Sequence, residues 1–281
     1  MEDTITGIDQ IMGEHPDLQP PLELHKLILL AQKELRESQK KGTNVNLNKS
    51  IVKDLQKKAS QSNQPVASFL SPSIFDSDAL FHTCEKVTGI LIERGASEER
   101  IEKFLEEVKS GKVDILHAVG AALKGDGEPF ENYGKRFKAD PALILFVISS
   151  SIQPCLEEIA RNADSSFLDG WWQAQCPVCG RTPIVAKLKS RKRYLACTFC
   201  GAEYLADIFM CANCGNGDPA TLKFLAPEEH PEFRVDFCEK CRHYLKVIDE
   251  DKSGKHIPKG LEDIMTIDLD LMAKDAGLVR I

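Results

Sequence analysis

Two stretches, Cys176-Pro177-Val178-Cys179-Gly180 and Cys197-Thr198-Phe199-Cys200-Gly201, decide how this chain is read. A second set follows them: Cys211-Ala212-Asn213-Cys214-Gly215 and Cys238-Glu239-Lys240-Cys241-Arg242. Two residues between cysteines let both thiolates of one tight turn reach a single ion, and a tetrahedral site needs a second such turn facing the first. Glycine after three of the pairs accepts the positive φ that curls backbone amides toward the sulfurs. Arg242 departs from that pattern. Four such pairs within residues 176–241 exclude chance. A thioredoxin-like redox site needs one pair in a βαβ setting, and no such pattern is present.

The pairing follows from a weak internal repeat. Arg193-Tyr194-Leu195-Ala196-Cys197 is echoed by Arg234-Val235-Asp236-Phe237-Cys238, and each unit continues to a Tyr-Leu, Tyr204-Leu205 and Tyr244-Leu245. This favours sequential modules, with Cys176, Cys179, Cys197 and Cys200 on one metal ion and Cys211, Cys214, Cys238 and Cys241 on the other. An interleaved cross-brace is the alternative. Four-cysteine tetrahedra suit iron and zinc alike, so spacing leaves the metal open between them. Ile184–Leu188 and Arg193–Leu195 read as hairpin strands with the turn near Ser190. The basic run Lys187–Arg193 reads first as a solvated hairpin tip and second as a docking patch for an acidic partner. His230 and His243 are poor ligand candidates, because eight cysteines already fill two sites.

Outward from the cysteines the composition changes. Residues 1–170 contain only Cys84 and Cys155, which sit in helical patterns and read as buried small hydrophobes. Apolar residues recur at helical spacing from Leu22 to Lys41, where Gly42 stops them, and again over Ile51–Ala59. Asp76 caps a helix over Ser77–Arg94. Ser97, followed by Glu98 and Glu99, caps the next, and Val113–Leu123 forms another. Asp140-Pro141 is an N-cap followed by proline at N1. The helix it opens is apolar on nearly every face, which belongs at the centre of a bundle, with a kink or break expected at Pro154. Trp171-Trp172 reads as packing at the domain junction. Asp268 and Asp270 read as helix surface.

The expected architecture is α+β. A helical N-terminal domain (1–170) precedes two tandem rubredoxin-like or zinc-ribbon modules (171–208 and 209–248) and a C-terminal tail with a helix (249–281). Each module has few apolar residues for a core of its own, so metal binding and folding are expected to be one equilibrium. A net charge of −7 argues against a chain that wraps nucleic acid. The acidic N-terminus carries no secretory signal, and the apolar run after Pro141 is expected to fall short of a membrane span. A cytoplasmic protein without membrane insertion follows. No catalytic triad, phosphate loop or paired-carboxylate motif stands out, so no enzyme is expected.

The cysteine turns, with Arg193-Tyr194-Leu195 ahead of Cys197, Arg242-His243-Tyr244-Leu245-Lys246 after Cys241 and the tail from Leu261-Glu262-Asp263-Ile264 to Ala276-Gly277, resemble the formate dehydrogenase accessory (FdhE) family. The resemblance implies a helical domain with two rubredoxin-like modules and iron or zinc on the eight cysteines. It implies a chaperone-like, cytoplasmic maturation role with the formate dehydrogenase catalytic subunit as partner; a homodimer stays open. From the residues alone, a zinc-ribbon nucleic-acid protein and a rubredoxin-like electron carrier are the competing readings.

Overall fold

The computed structural model describes residues 2–40, 49–95, 98–253 and 257–280. The expected stop at Gly42 and cap at Ser97 lie outside them. Helices fill the chain as far as Asp169, and strands then dominate as far as Asp249.

Helix Pro141–Arg161 is the axis of the helical part, and Asp140 caps it by accepting from the Ala142 amide at 2.9 Å. Ile144, Val147, Ile148, Ile152 and Ile159 are all buried. Helix Ser77–Glu93, capped by Asp76 as expected, packs along it. By length and composition Pro141–Arg161 is apolar enough to cross a membrane; here it is mostly buried inside the fold. The serines and Pro154 therefore do not shorten it as the sequence suggested. Pro154 cannot donate to the Ser150 carbonyl one turn back. That carbonyl instead accepts from Gln32 Nε2 at 2.7 Å. Gln32 is itself fully buried, at the break between helices Gln19–Ala31 and Lys33–Lys40. The single helix expected from Leu22 to Lys41 is thus two, and the residue at the join repairs the proline's missing bond.

Among the described residues seven strands form one sheet: β1 (Val185–Lys189), β2 (Lys192–Ala196), β3 (Glu203–Ala206), β4 (Leu222–Leu225), β5 (Phe233–Cys238), β6 (His243–Asp249) and β7 (Val279–Arg280). The order is β3-β2-β1-β6-β5-β4, with β7 on β6. Each module is an antiparallel three-stranded unit, and the two join through the parallel pair β1 and β6. The β1–β2 hairpin turns at Ser190 and Arg191, both at positive φ (49° and 62°), as a tight hairpin requires.

Strand alternation divides the sheet into two faces. One carries Ala186, Leu195, Tyr204, Leu245 and Val247, which are continuous with the helical core. The other carries Val235 and Tyr244, covered by Leu269 and Ala273 of helix Ile267–Asp275, together with two buried lysines, Lys187 and Lys246. Trp171 is buried beside Phe167 and donates from Nε1 to the Gln175 carbonyl at 2.7 Å, whereas Trp172 is exposed. The expected packing role therefore belongs to Trp171 alone.

Candidate metal centres

All four C-x-x-C turns have the same backbone. The amide four residues after the first cysteine donates back to that cysteine's carbonyl: Gly180 to Cys176, Gly201 to Cys197, Gly215 to Cys211 and Arg242 to Cys238, at 2.8–3.0 Å. The last residue of each has positive φ: 76°, 72° and 69° at the glycines and 62° at Arg242. Arg242 thus adopts the glycine conformation. Its guanidinium donates to the carbonyls of Ala276 (2.9 Å) and Gly277 (3.3 Å), and its own carbonyl accepts from the Val279 amide. The tail holds in place a turn that an arginine does not favour by itself.

The turns meet in sequential pairs and not as a cross-brace. Cys176, Cys179, Cys197 and Cys200 form one group and Cys211, Cys214, Cys238 and Cys241 the other, with all sulfurs of each group within 4.8 Å of one another. Sulfur–sulfur separations include 3.5 Å (Cys176–Cys200) and 3.4 Å (Cys179–Cys197) in the first, and 3.6 Å (Cys211–Cys241) and 3.8 Å (Cys214–Cys238) in the second. A tetrahedron with metal–sulfur bonds of about 2.3 Å needs sulfurs about 3.8 Å apart, so both groups fit a four-coordinate thiolate-bound ion. His230 and His243 belong to neither group. His243 Nδ1 lies 2.9 Å from both Asn213 Nδ2 and the Cys241 carbonyl.

The two centres differ in setting. The first is sealed: Cys176, Cys197 and Cys200 are buried, and burial pushes the Cys176 and Cys200 thiols well up. Its first turn is clamped to the helical part by bonds from the Val66 and Ala67 amides to the carbonyls of Pro177 (2.9 Å) and Val178 (2.8 Å). Gln153 Nε2 holds the Phe199 carbonyl of its second turn at 3.0 Å, and Arg181 lies 3.5 Å over the Phe199 ring. Tyr204, fully buried beneath it, donates to the Ala174 carbonyl at 2.6 Å.

The second centre faces solvent through Cys214. Asparagines surround it: the Asn213 amide and Asn216 Nδ2 each donate to a sulfur, Cys211 and Cys238, at 3.4 Å. Lys240 in turn holds Asn216 Oδ1 at 2.7 Å. Burial raises the Cys238 thiol, but the Cys241 and Lys240 amides and Asn216 outweigh it and bring the thiol down to about 7. The sequence reading missed Asn213 and Asn216, although each lies within two residues of a cysteine.

The basic run is a solvated tip only at its turn, where Ser190, Arg191 and Lys192 are exposed. Its two ends are not: Lys187 is fully buried between Glu203 (2.7 Å) and Glu262 (2.8 Å), and Arg193 is buried as well. Asp270 is likewise no surface residue, since it pairs with Lys246 (2.8 Å) and Arg280 (3.0 Å). Cys84 and Cys155 are buried as expected, and burial pushes both thiols up to about 12.

Residues 209–281 match the family model described as the FdhE C-terminal domain. The chain is 31% identical over 144 residues to the FdhE homolog of Aquifex aeolicus (strain VF5), covering 50% of each. It is 28% identical over 109 residues to the FdhE protein of Escherichia coli O9:H4 (strain HS), covering 37% of this chain and 35% of that one. The chain spans half, or less, of the length of these curated relatives. In fold it is similar to the crystal structure of the FdhE protein from Pseudomonas aeruginosa, with a TM-score of 0.58 at 18% identity over 96% of this chain and 87% of that one. The cysteine turns and the tail that braces Arg242 fall in the half of the chain that is similar in sequence to FdhE proteins, and the fold as a whole is similar to that of a solved FdhE protein.

Proposed function

We propose that the chain is a non-enzymatic maturation factor for a formate dehydrogenase. It acts in the cytoplasm and engages that enzyme's catalytic subunit through its metal-stabilised modules. The observation that carries this reading is the pair of four-cysteine centres, one sealed and one open, in a chain whose C-terminal part matches the FdhE C-terminal domain. Cys176, Cys179, Cys197 and Cys200 hold one iron or zinc ion, and Cys211, Cys214, Cys238 and Cys241 hold the other. The ions supply cross-links to modules that have little core of their own. The first ion locks its module to the helical part; the second shapes a surface that a partner can reach. Burial of Lys187 counts against the nucleic-acid reading, because it cannot reach a phosphate.

The test is to purify the tagged protein from its own host during anaerobic growth on formate and quantify co-eluting proteins. A formate dehydrogenase catalytic subunit should be enriched with the wild type and lost with Cys238→Ser. Recovery of nucleic acid, or of no such subunit, would end the reading.

A further inference from the structure

The sheet face that carries Leu195, Tyr204, Leu245 and Val247 is covered by helices over the first module and open over the second. By register, Leu222, Phe224, Arg234 and Asp236 lie on this same face, paired opposite Cys238, Asp236, Val247 and Leu245 respectively. Helix Ile267–Asp275, which packs on β5, covers Val235 on the opposite face. Together with segment 208–213, which leads into the second cysteine centre, Leu222, Phe224, Arg234 and Asp236 enclose a cleft of about 240 Å³. Its apolar rim is wet: Ile208 is 40% exposed, Phe209 62% and Phe224 63%.

We propose that this cleft is a docking site for an extended segment of a partner protein that presents one large apolar side chain with an acidic side chain beside it. The inference deepens the maturation-factor reading and rests on it in taking the occupant to be protein. Three observations select this occupant. Exposed phenylalanines grouped around a concave surface mark a binding site more than a solvated one. The charged side chains that this face presents to the cleft are Arg193 and Arg234 against Asp236. Asp236 is already engaged by Arg234 at 2.7 Å, and that guanidinium lies 5.3 Å over the Phe224 ring. Arg193 is the decisive group. It is 4% exposed, no carboxylate of the described residues lies within ion-pair distance, Nη2 is taken by the Met210 carbonyl at 2.7 Å, and Nε has no hydrogen-bond partner among them. A desolvated guanidinium with a free donor is stabilised by an incoming carboxylate. Third, β4 ends the sheet, and among the described residues no strand pairs its outer edge, so an extended segment can add there by main-chain bonding.

The test begins by panning a random heptapeptide display library on the full chain. Binders should enrich a large apolar residue within two positions of Asp or Glu. A peptide carrying the enriched motif should lose affinity by about tenfold or more with Phe224→Ser and with Phe209→Ser. Both residues are exposed, so metal content and Tm should not change. Replacing the peptide's acid by its amide should cost about tenfold with the wild type and little with Arg193→Gln, as a charge-assisted contact requires. No enrichment, or binding indifferent to Phe224→Ser and Phe209→Ser, would overturn the proposal. So would an Arg193→Gln variant that loses metal yet keeps the peptide's full acid dependence, since Arg193 would then serve only the thiolate cluster. Self-association abolished by Phe224→Ser would give the cleft to a second copy, against the proposal. Capture of the formate dehydrogenase subunit separates the two readings. If Phe224→Ser captures it as the wild type does, the cleft is dismissed and the maturation role stands. If the wild type captures none while peptides still bind through Phe224, the cleft stands and the maturation role falls.

Discussion

Lys187 Nζ lies 2.8 Å from Glu262 Oε1, with both side chains almost wholly out of solvent. Glu203, on the same face of the sheet, holds the same ammonium at 2.7 Å, and Lys189 Nζ lies 2.7 Å from the other Glu203 oxygen. One strand along, Lys246 is buried against Asp263 and Asp270, and Arg280 of β7 closes that group. The two lysines flank the parallel β1–β6 seam, and their partners Glu262, Asp263 and Asp270 come from the tail. Apolar contacts join the modules across the seam, Val185 with Ile248 on this face and Ala186 beside Val247 on the other, and buried charge ties both modules to one segment of the tail.

Removing one partner from a buried ion group leaves the others uncompensated, which costs about 3–5 kcal/mol. Lys187→Met should therefore destabilise the protein by about 3 kcal/mol in urea unfolding. The triple variant Lys187→Met, Glu203→Gln, Glu262→Gln should recover most of the loss. If the single variant is as stable as the wild type, the seam does not depend on this group.

The same group sets an acid dependence. Burial raises the Glu203 carboxyl, but hydrogen bonds from Lys187 and Lys189 outweigh it and hold it at about 2, against an ordinary 4.5. A carboxylate depressed in the folded state contributes stability that is complete above its unfolded pKa and is lost as pH falls through the folded one. The stability difference between the wild type and Glu203→Gln should be full above pH 4.5 and shrink toward pH 2. Both proteins keep the same cysteine centres, so the contribution of any ion they hold cancels in the difference. Thermal melts of the pair across that range decide it; a gap that does not change with pH would contradict the assignment.

The four-cysteine groups are legible in the sequence and the seam is not, for physical reasons. Ligand spacing is a local property, so the four turns and the hairpin at Ser190 can be read residue by residue, and the internal repeat points to the pairing. The fate of Lys187 depends on Glu262, 75 positions away, and nothing local distinguishes a lysine on a hairpin face from one beneath a returning tail. Period-2 alternation does place Lys187 and Lys189 on one face, opposite Ala186 and Leu188, but burial of that face is invisible until the tail is in place. Gln32 and Pro154 make the same point in the helical part. The proline signals a break, and a side chain from a distant helix removes the need for one.

Glycine positions in the cysteine turns should be unequal in their tolerance. A Cβ on Gly215 would meet nothing within 4 Å, so Gly215→Ala costs only the left-handed backbone, about 1–2 kcal/mol. A Cβ on Gly180 would also lie 2.9 Å from Pro65 Cγ, on the segment that clamps the first turn to the helices. Gly180→Ala should therefore lower Tm more than Gly215→Ala. It should also raise hydrogen exchange at the Val66 and Ala67 amides, which Gly215→Ala should leave protected. Equal effects of the two substitutions would mean that the clamp is not tight.

The metals should leave in order. In the first centre three cysteines are buried, and release requires its turns to separate from the helical core they share. In the second, Cys214 is open to solvent and a chelator can attack without prior unfolding. Because binding and folding are linked, the first ion is protected by the stability of the helical part, whereas the second is protected only by its own module. A strong chelator should therefore remove one equivalent in a fast phase and the other in a slow phase that accelerates in mild denaturant. Cys214→Ser should abolish the fast phase, and Cys200→Ser the slow one. Circular dichroism should show the helices intact after the first phase and disturbed after the second, because Cys176, Val178 and Tyr204 belong to the helical core. Release of both ions in one phase, or a fast phase that survives Cys214→Ser, would show that exposure does not control access and that the two modules melt as a unit.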